Sequence, residues 1–169
     1  IGVIEELLKH KFEINAIAGT SMGALVGAFY TMGKLYELKN FLLTVDKRKI
    51  FQLLDFSIGA PGLVKGDKLI RTLKDIAPDM LIEDLKIPFT AVATDILNKK
   101  EVVFSKGSIY DAIRASISIP TFFTPVKTKT GLLVDGGVLN NIPVNHVNSK
   151  NSDKVIAVGD ENEKLTLNA

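Results

Sequence analysis

The sequence predicts a single α/β domain with a parallel or mixed sheet. Short apolar segments alternate with segments whose apolar residues recur at helical spacing, which is typical of this class. The chain has 169 residues, of which 46% are hydrophobic, enough for one buried core. No internal repeat or linker divides it, so we interpret residues 1–169 as one domain.

The N-terminal elements follow from periodicity and from helix stop signals. A helix is expected at 1–10, a strand at 14–18 and a helix at 22–32, which Gly33 ends. Apolar residues at every third or fourth position predict another helix at 35–45.

Residues 51–65 mix apolar side chains with glycine and proline and predict a covering loop or lid. Its apolar residues either line an acyl-binding surface or cap the core. The later elements are predicted as a helix at 67–76 capped by Asp67, a strand at 87–94 paired with one at 101–104, a helix at 109–116, a hairpin of 126–129 with 132–135, and a last buried strand at 154–158.

The strongest motif is Gly-x-Ser-x-Gly at 19–23, between an apolar strand and a helix of small residues. This context is typical of a nucleophile elbow, in which Ser21 lies on a sharp turn. Small residues at Gly19 and Gly23 let the two backbones approach, and the amide of Met22 at the helix N-terminus is an expected anion donor. The alternative is an ordinary turn in which Thr20 or Ser21 only caps the helix.

Asp135 is the first candidate for the general base. It ends an apolar strand and is followed by Gly136 and Gly137, which leave space beside the carboxylate. The alternative is a common Asp-Gly hairpin turn. Asn141 is either a hydrogen-bonding partner of this loop or a turn residue before a proline.

Three other residues need an interpretation. His10 is expected to be a solvated residue at a helix end. His146 would be the base if the chain were a conventional α/β-hydrolase, in which histidine comes last in the chain. Asp95 also follows an apolar strand but lacks neighbouring glycines, so we expect it to anchor a turn.

Taken together, these motifs resemble the patatin-like phospholipase family, which uses a Ser–Asp dyad without histidine. The resemblance extends over nearly the whole chain: the helix at 1–7, the elbow at 18–24, the segments 62–69, 91–95 and 115–125, and Asp135-Gly136-Gly137 with Asn141 and Pro143.

The resemblance implies a three-layer fold with a mostly parallel central sheet and helices on both faces. It implies a serine acyl hydrolase that cleaves esters of phospholipids or related lipids and needs neither cofactor nor metal. Ser21 and Asp135 would be catalytic, and Met22, Gly19 and Gly23 would form the elbow and oxyanion site. Gly136, Gly137 and Asn141 would support the Asp135 loop.

The chain departs from this family at its start. The family's first strand and glycine-rich oxyanion loop should precede the helix that begins at Ile1, and the sequence contains neither. We expect an upstream segment to carry them. The alternative is a non-catalytic lipid- or protein-binding module that has lost its anion hole. Ser118 also stands where the family commonly has alanine.

Composition narrows the range of partners. The net charge is +2 at pH 7, and no basic run is interleaved with aromatic residues, so nucleic acid is not an expected partner. The basic cluster 47–49 is a solvated face or a contact to anionic lipid headgroups. The chain has no cysteine and no apolar run of about 18 residues. Two unpaired histidines and scattered acids predict no metal site. We expect a cytoplasmic protein that contacts membranes peripherally, with its oligomeric state undetermined.

Overall fold

The computed structural model describes residues 1–46, 64–147 and 154–159. The helices are α1 (Gly2–Lys9), α2 (Met22–Thr31), α3 (Leu35–Leu43), α4 (Asp67–Ile76) and α5 (Ile109–Ser116). The strands are β1 (Ile17–Thr20), β2 (Phe89–Asp95), β3 (Lys100–Phe104), β4 (Val126–Lys127) and β5 (Leu132–Asp135). Short 3-10 helices are Ile82–Asp84, Gly136–Val138 and Val144–His146. The predicted α/β class is confirmed.

The sheet is mixed and is organised around β2. Strand β1 runs parallel to β2, whereas β3 and β5 run antiparallel to it and β4 extends the sheet beyond β5. Strand β2 has only two edges but pairs with three strands, so two of them must lie end to end along the same edge. β3 pairs with residues 91–95 of β2, so β1 and β5 must share the opposite edge.

This shared edge brings the C-terminal ends of β1 and β5 together. Thr20 is the last residue of β1 and pairs with Val92, while Asp135 is the last residue of β5 and pairs with Ala93. The two strands therefore run toward each other along β2 and stop at neighbouring positions. We call this meeting point the strand junction.

The core lies where α2, α3, α4 and α5 pack on the sheet. Phe89 and Ala91 alternate along β2 with period two and join the buried cluster of helix side chains. Phe29 of α2 meets Tyr110 of α5 edge to face, with ring centroids 6.4 Å apart. The Tyr110 hydroxyl, a single donor, lies 2.8 Å from the carbonyl oxygen of Leu73 and 2.7 Å from that of Ala77, and this hydrogen bonding ties α4 to α5. This core holds the helix that follows Ser21.

Most elements begin and end within two residues of the predicted positions, and three predictions need correction. Strand β1 covers Ile17–Thr20 instead of 14–18. The N-cap of α4 is Gly66, with φ of 79°, and Asp67 is already helical, because a left-handed residue turns the chain into the helix. The predicted buried strand at 154–158 is wrong, since these residues form no strand with the described residues and are mostly exposed.

Several predictions concern residues outside the described ranges. They include most of the loop or lid at 51–65 and the basic cluster at 47–49. Among the described residues, no helix is long and apolar enough to cross a bilayer.

Candidate active site

The turn at Ser21 has the strained backbone of an elbow. Its φ of 54° and ψ of −121° lie in a region that residues with side chains rarely adopt. The Ser21 side chain makes no capping hydrogen bond to α2. Thr20 does not cap α2 either, because its hydroxyl donates to the carbonyl oxygen of Asn140 at 2.8 Å. The interpretation of this segment as a simple helix cap is therefore wrong.

The two glycines of the motif play different parts. A Cβ on Gly19 would lie 2.4 Å from the backbone carbon of Gly23, so this position tolerates no side chain. A Cβ on Gly23 would meet no atom within 4 Å. Of the two glycines of the motif, Gly19 is therefore the one that the close passage of strand and helix requires, which corrects the expectation that both are needed for it.

Met22 begins α2, and the first amides of a helix have no acceptor within it. The positive end of the helix dipole lies at the same place. The Met22 side chain is 57% exposed, so the site is open to solvent on this side. The amide of Met22 is therefore one of the helix-terminal donors that have no acceptor inside α2.

The carboxylate of Asp135 is buried and only half satisfied. It is 6% exposed, and its Oδ1 atom accepts a hydrogen bond from the amide of Gly137 at 2.8 Å. Its Oδ2 atom is buried and has no hydrogen-bond partner among the described residues, the Ser21 hydroxyl included. Buried polar atoms without a partner are rare and call for an explanation.

The strand junction brings this carboxylate to the elbow. Gly136 fits between the two segments, because a Cβ there would lie 2.3 Å from the carbonyl oxygen of Val92 and 3.0 Å from Cγ2 of Thr20. The carbonyl oxygen of Gly136 also accepts the hydroxyl of Thr94 at 3.4 Å. Thr20, which precedes Ser21, and Gly136, which follows Asp135, are therefore in direct contact.

Asn140 makes the hydrogen bonds that close the Asp135 loop. Its amide donates to the carbonyl oxygen of Gly136 at 2.8 Å, and its own carbonyl oxygen accepts the Thr20 hydroxyl. Asn141, the predicted supporting residue, lies beside Gly137, with its Oδ1 atom 3.2 Å from where a Cβ of that glycine would be. Sequence reasoning missed Asn140, for which the Asn-Asn pair was the only signal.

Two further residues to which the sequence analysis gave no role in the site are Ser116 and Ser118. The Ser116 hydroxyl accepts the amide of Ser21 at 2.9 Å, and the carbonyl oxygen of Ser118 accepts the amide of Asp135 at 2.9 Å. The Ala-Ser-x-Ser-x-Pro run at 115–120 was the available signal.

The two histidines lie in other networks. His146 Nε2 is 2.5 Å from Glu101 Oε2, and the hydrogen bonds from His146 and Asn140 lower the pKa of Glu101 below its ordinary value. No hydrogen bond joins His146 to Ser21 or Asp135 in the described part of the chain. His10 pairs with exposed Glu6 at 3.0 Å, as expected for a residue at a helix end.

A cavity of about 900 Å³ lies beside Ser21, along the edge of β1 that does not face β2. Apolar side chains of α1 line one side, and the segment 154–159 lines another. Asn141 contributes to the lining, whereas Asp135 does not. Within the described ranges, no cluster of three metal-binding side chains occurs.

The fold and the site define an α/β protein with a strained serine elbow beside a buried, half-satisfied carboxylate. The family model of patatin-like phospholipases matches residues 1–147. The chain therefore belongs to the patatin-like phospholipase family, a family of lipid hydrolases.

Curated relatives agree with this assignment. The chain is 42% identical over 158 residues to an uncharacterized NTE family protein of Mycobacterium tuberculosis, covering 94% of this chain and 44% of that protein. It is 29% identical over 164 residues to rat patatin-like phospholipase domain-containing protein 7 and 27% identical over 169 residues to the neuropathy target esterase sws of Drosophila melanogaster. These matches cover 94% of this chain and 12% of each relative. The chain thus spans less than half the length of these relatives.

Proposed function

We propose that this chain is a serine acyl hydrolase that cleaves esters of phospholipids or related lipids with Ser21 as nucleophile and Asp135 as base. The observation that carries the proposal is the Oδ2 atom of Asp135. It is buried and has no hydrogen-bond partner among the described residues, and it belongs to the residue that ends β5 next to the elbow. An oxygen kept free in this position is available to accept the proton of the serine hydroxyl.

The reaction proceeds in two halves. The Ser21 hydroxyl transfers its proton to Asp135 as its oxygen attacks the ester carbonyl, and the amide of Met22 donates to the oxyanion. The leaving alcohol takes the proton back from Asp135, and an acyl-serine remains. Asp135 then accepts a proton from a water molecule that attacks the acyl group. The fatty acid leaves, and the proton returns to Ser21.

The second oxyanion donor in this proposal is a glycine-rich loop of the kind that the patatin-like family carries. Removal of one oxyanion donor typically costs about 10²–10³ in rate, so the complete protein is the form to assay. We also propose that it works in the cytoplasm at membrane surfaces, where such lipids are found.

Labelling of the full-length protein with a fluorophosphonate probe tests this proposal. The wild-type protein should react, and Ser21→Ala and Asp135→Ala should not. His146→Ala is the matched control and should react like the wild type. Loss of reaction in His146→Ala together with its retention in Asp135→Ala would favour a conventional hydrolase. A wild-type protein that never reacts would favour a non-catalytic lipid- or protein-binding module.

A further inference from the structure

We infer that the C-terminal turn of α5 sets the spacing of the proposed dyad and that Ser116 is the residue that positions Ser21. This inference rests on the proposed function. Residues 115–118 contact both halves of the strand junction, and two of them bond directly to the backbone of Ser21 and Asp135.

Ser116 connects the elbow to the central strand through one oxygen atom. Its side chain is 0% exposed, and its hydroxyl accepts the amide of Ser21 at 2.9 Å while donating to the carbonyl oxygen of Val92 at 2.7 Å. Ser21 has a strained positive φ, so its backbone needs support from its surroundings to keep this conformation. The Ser116 hydroxyl supplies that support and fixes the elbow relative to β2.

The same turn holds the carboxylate two residues later. The carbonyl oxygen of Ser118 accepts the amide of Asp135 at 2.9 Å. The Ser118 hydroxyl accepts from Arg114 Nη1 at 2.6 Å and donates to the Arg114 carbonyl oxygen at 2.7 Å. Arg114 also donates to the carbonyl oxygen of Thr124 at 2.9 Å, which fastens the segment after the turn. The short segment 115–118 therefore binds the backbone of both Ser21 and Asp135.

Removal of the Ser116 hydroxyl should move the nucleophile without changing substrate binding. A misplacement of about 1 Å can cost up to about 10²-fold in rate. We expect Ser116→Ala to lower kcat by roughly 10- to 100-fold. KM should stay within about twofold, because Ser116 is fully buried and does not line the cavity.

The experiment measures kcat and KM of the full-length protein on a short-chain p-nitrophenyl ester, the rate of fluorophosphonate labelling, and Tm. Ser116→Ala is compared with Ser116→Cys, which keeps an atom at the position of the hydroxyl oxygen, although a larger one, but offers only a weak acceptor. The matched control is Ser108→Ala at the other end of α5, where the hydroxyl accepts the amide of Asp111. This control should lower Tm and leave kcat unchanged.

The outcomes separate the inference from the proposed function. A lower kcat and slower labelling in both Ser116 variants, with KM preserved, support the positioning role. If Ser116→Ala does not fold, Ser116→Cys gives the answer. Wild-type kcat in a folded Ser116 variant, or a change confined to KM or Tm, overturns the inference. A wild-type protein that does not react, or a Ser21→Ala protein that does, overturns the proposed function, and the inference falls with it.

Discussion

Asp95 and Asp135 are two carboxylates that end neighbouring strands of one sheet, and they differ in their hydrogen bonds. Both are nearly inaccessible, with 4% and 6% exposure. Asp95 Oδ1 accepts the amides of Leu97, Asn98 and Leu132, and its Oδ2 accepts the side-chain amide of Asn98 at 2.7 Å. Within the part of the chain that the structure describes, Asp135 accepts one amide on Oδ1 and nothing on Oδ2.

The comparison shows that burial does not distinguish a structural carboxylate from a candidate base. The distinguishing property is whether an oxygen is left without a donor. The side-chain hydrogen bond from Asn98, with the amides of Leu132, Asn98 and Leu97, holds the pKa of Asp95 below its ordinary value. The sequence interpretation of Asp95 as a turn anchor is confirmed. The proposed base is Asp135, the carboxylate whose Oδ2 atom accepts no hydrogen bond from the described residues.

The largest effect is expected from Asp135→Asn. The amide has the shape of the carboxylate but cannot take up the serine proton, so kcat should fall by about 10²–10⁴. Stability should stay unchanged or rise, because a buried carboxylate with an unpartnered oxygen becomes neutral. Ester hydrolysis and thermal unfolding measured on the same preparation check both parts. Wild-type kcat in this variant would contradict the assignment of the base.

The reverse result is expected from Asp95→Asn. All the groups that hydrogen-bond to the Asp95 carboxylate are N–H donors. The NH₂ group of an asparagine would therefore face one of these donors in place of an acceptor oxygen. Tm should fall further than in Asp135→Asn, while kcat stays within about threefold of wild type. Unfolding curves and ester hydrolysis decide the point. A large loss of kcat with unchanged Tm would mean that Asp95 takes part in the chemistry.

The pH dependence of stability should also show that the charged form of Asp95 stabilises the fold. Because its folded pKa is depressed, the stability it contributes is present above the ordinary aspartate pKa of about 3.9 and is lost as the pH falls through the folded value. The gap in unfolding midpoint between wild type and Asp95→Asn should therefore narrow in acid. Denaturant titrations from pH 7 to pH 2 measure it. A difference in midpoint that stays constant with pH would show that the charge of Asp95 does not contribute to stability.

The smallest effect is expected from the glycine that approaches Asp95. A Cβ on Gly131 would lie 2.1 Å from Asp95 Oδ2, so Gly131→Ala should cost about 1–3 kcal/mol of stability. Its kcat should be preserved, because the strand junction is not touched. Gly136→Ala is the counterpart, and it should lower kcat as well as stability, since its Cβ would push against Val92 in the junction. Equal effects on kcat would contradict the division of roles between the two carboxylates.

Local features of the site were predictable from the sequence. A strained serine turn needs a glycine two residues earlier and a helix after it, and the segment 14–25 shows both. The glycines after Asp135 and their absence after Asp95 separated the two carboxylates. Helix 109–116 was predicted to the residue, because its apolar period and Pro120 define it locally.

Other features depend on contacts between distant segments. Ser116 supports Ser21 across 95 residues of chain, and Asn140 binds Thr20 across 120. The segment 154–158 has the composition of a buried strand, but the described residues provide no strand beside it. Side-chain type alone does not show which backbone group a hydroxyl or carbonyl will meet.

The sequence by itself determined the elbow, the Asp-Gly-Gly turn and the α/β class, because each depends on backbone preferences and periodicity over a few residues. Only the tertiary structure decided that the elbow and the turn meet. β3 takes one edge of β2, so β1 and β5 must share the other edge and end at adjacent positions, Val92 and Ala93. Strand pairing is a property of the whole sheet, and no single segment encodes it.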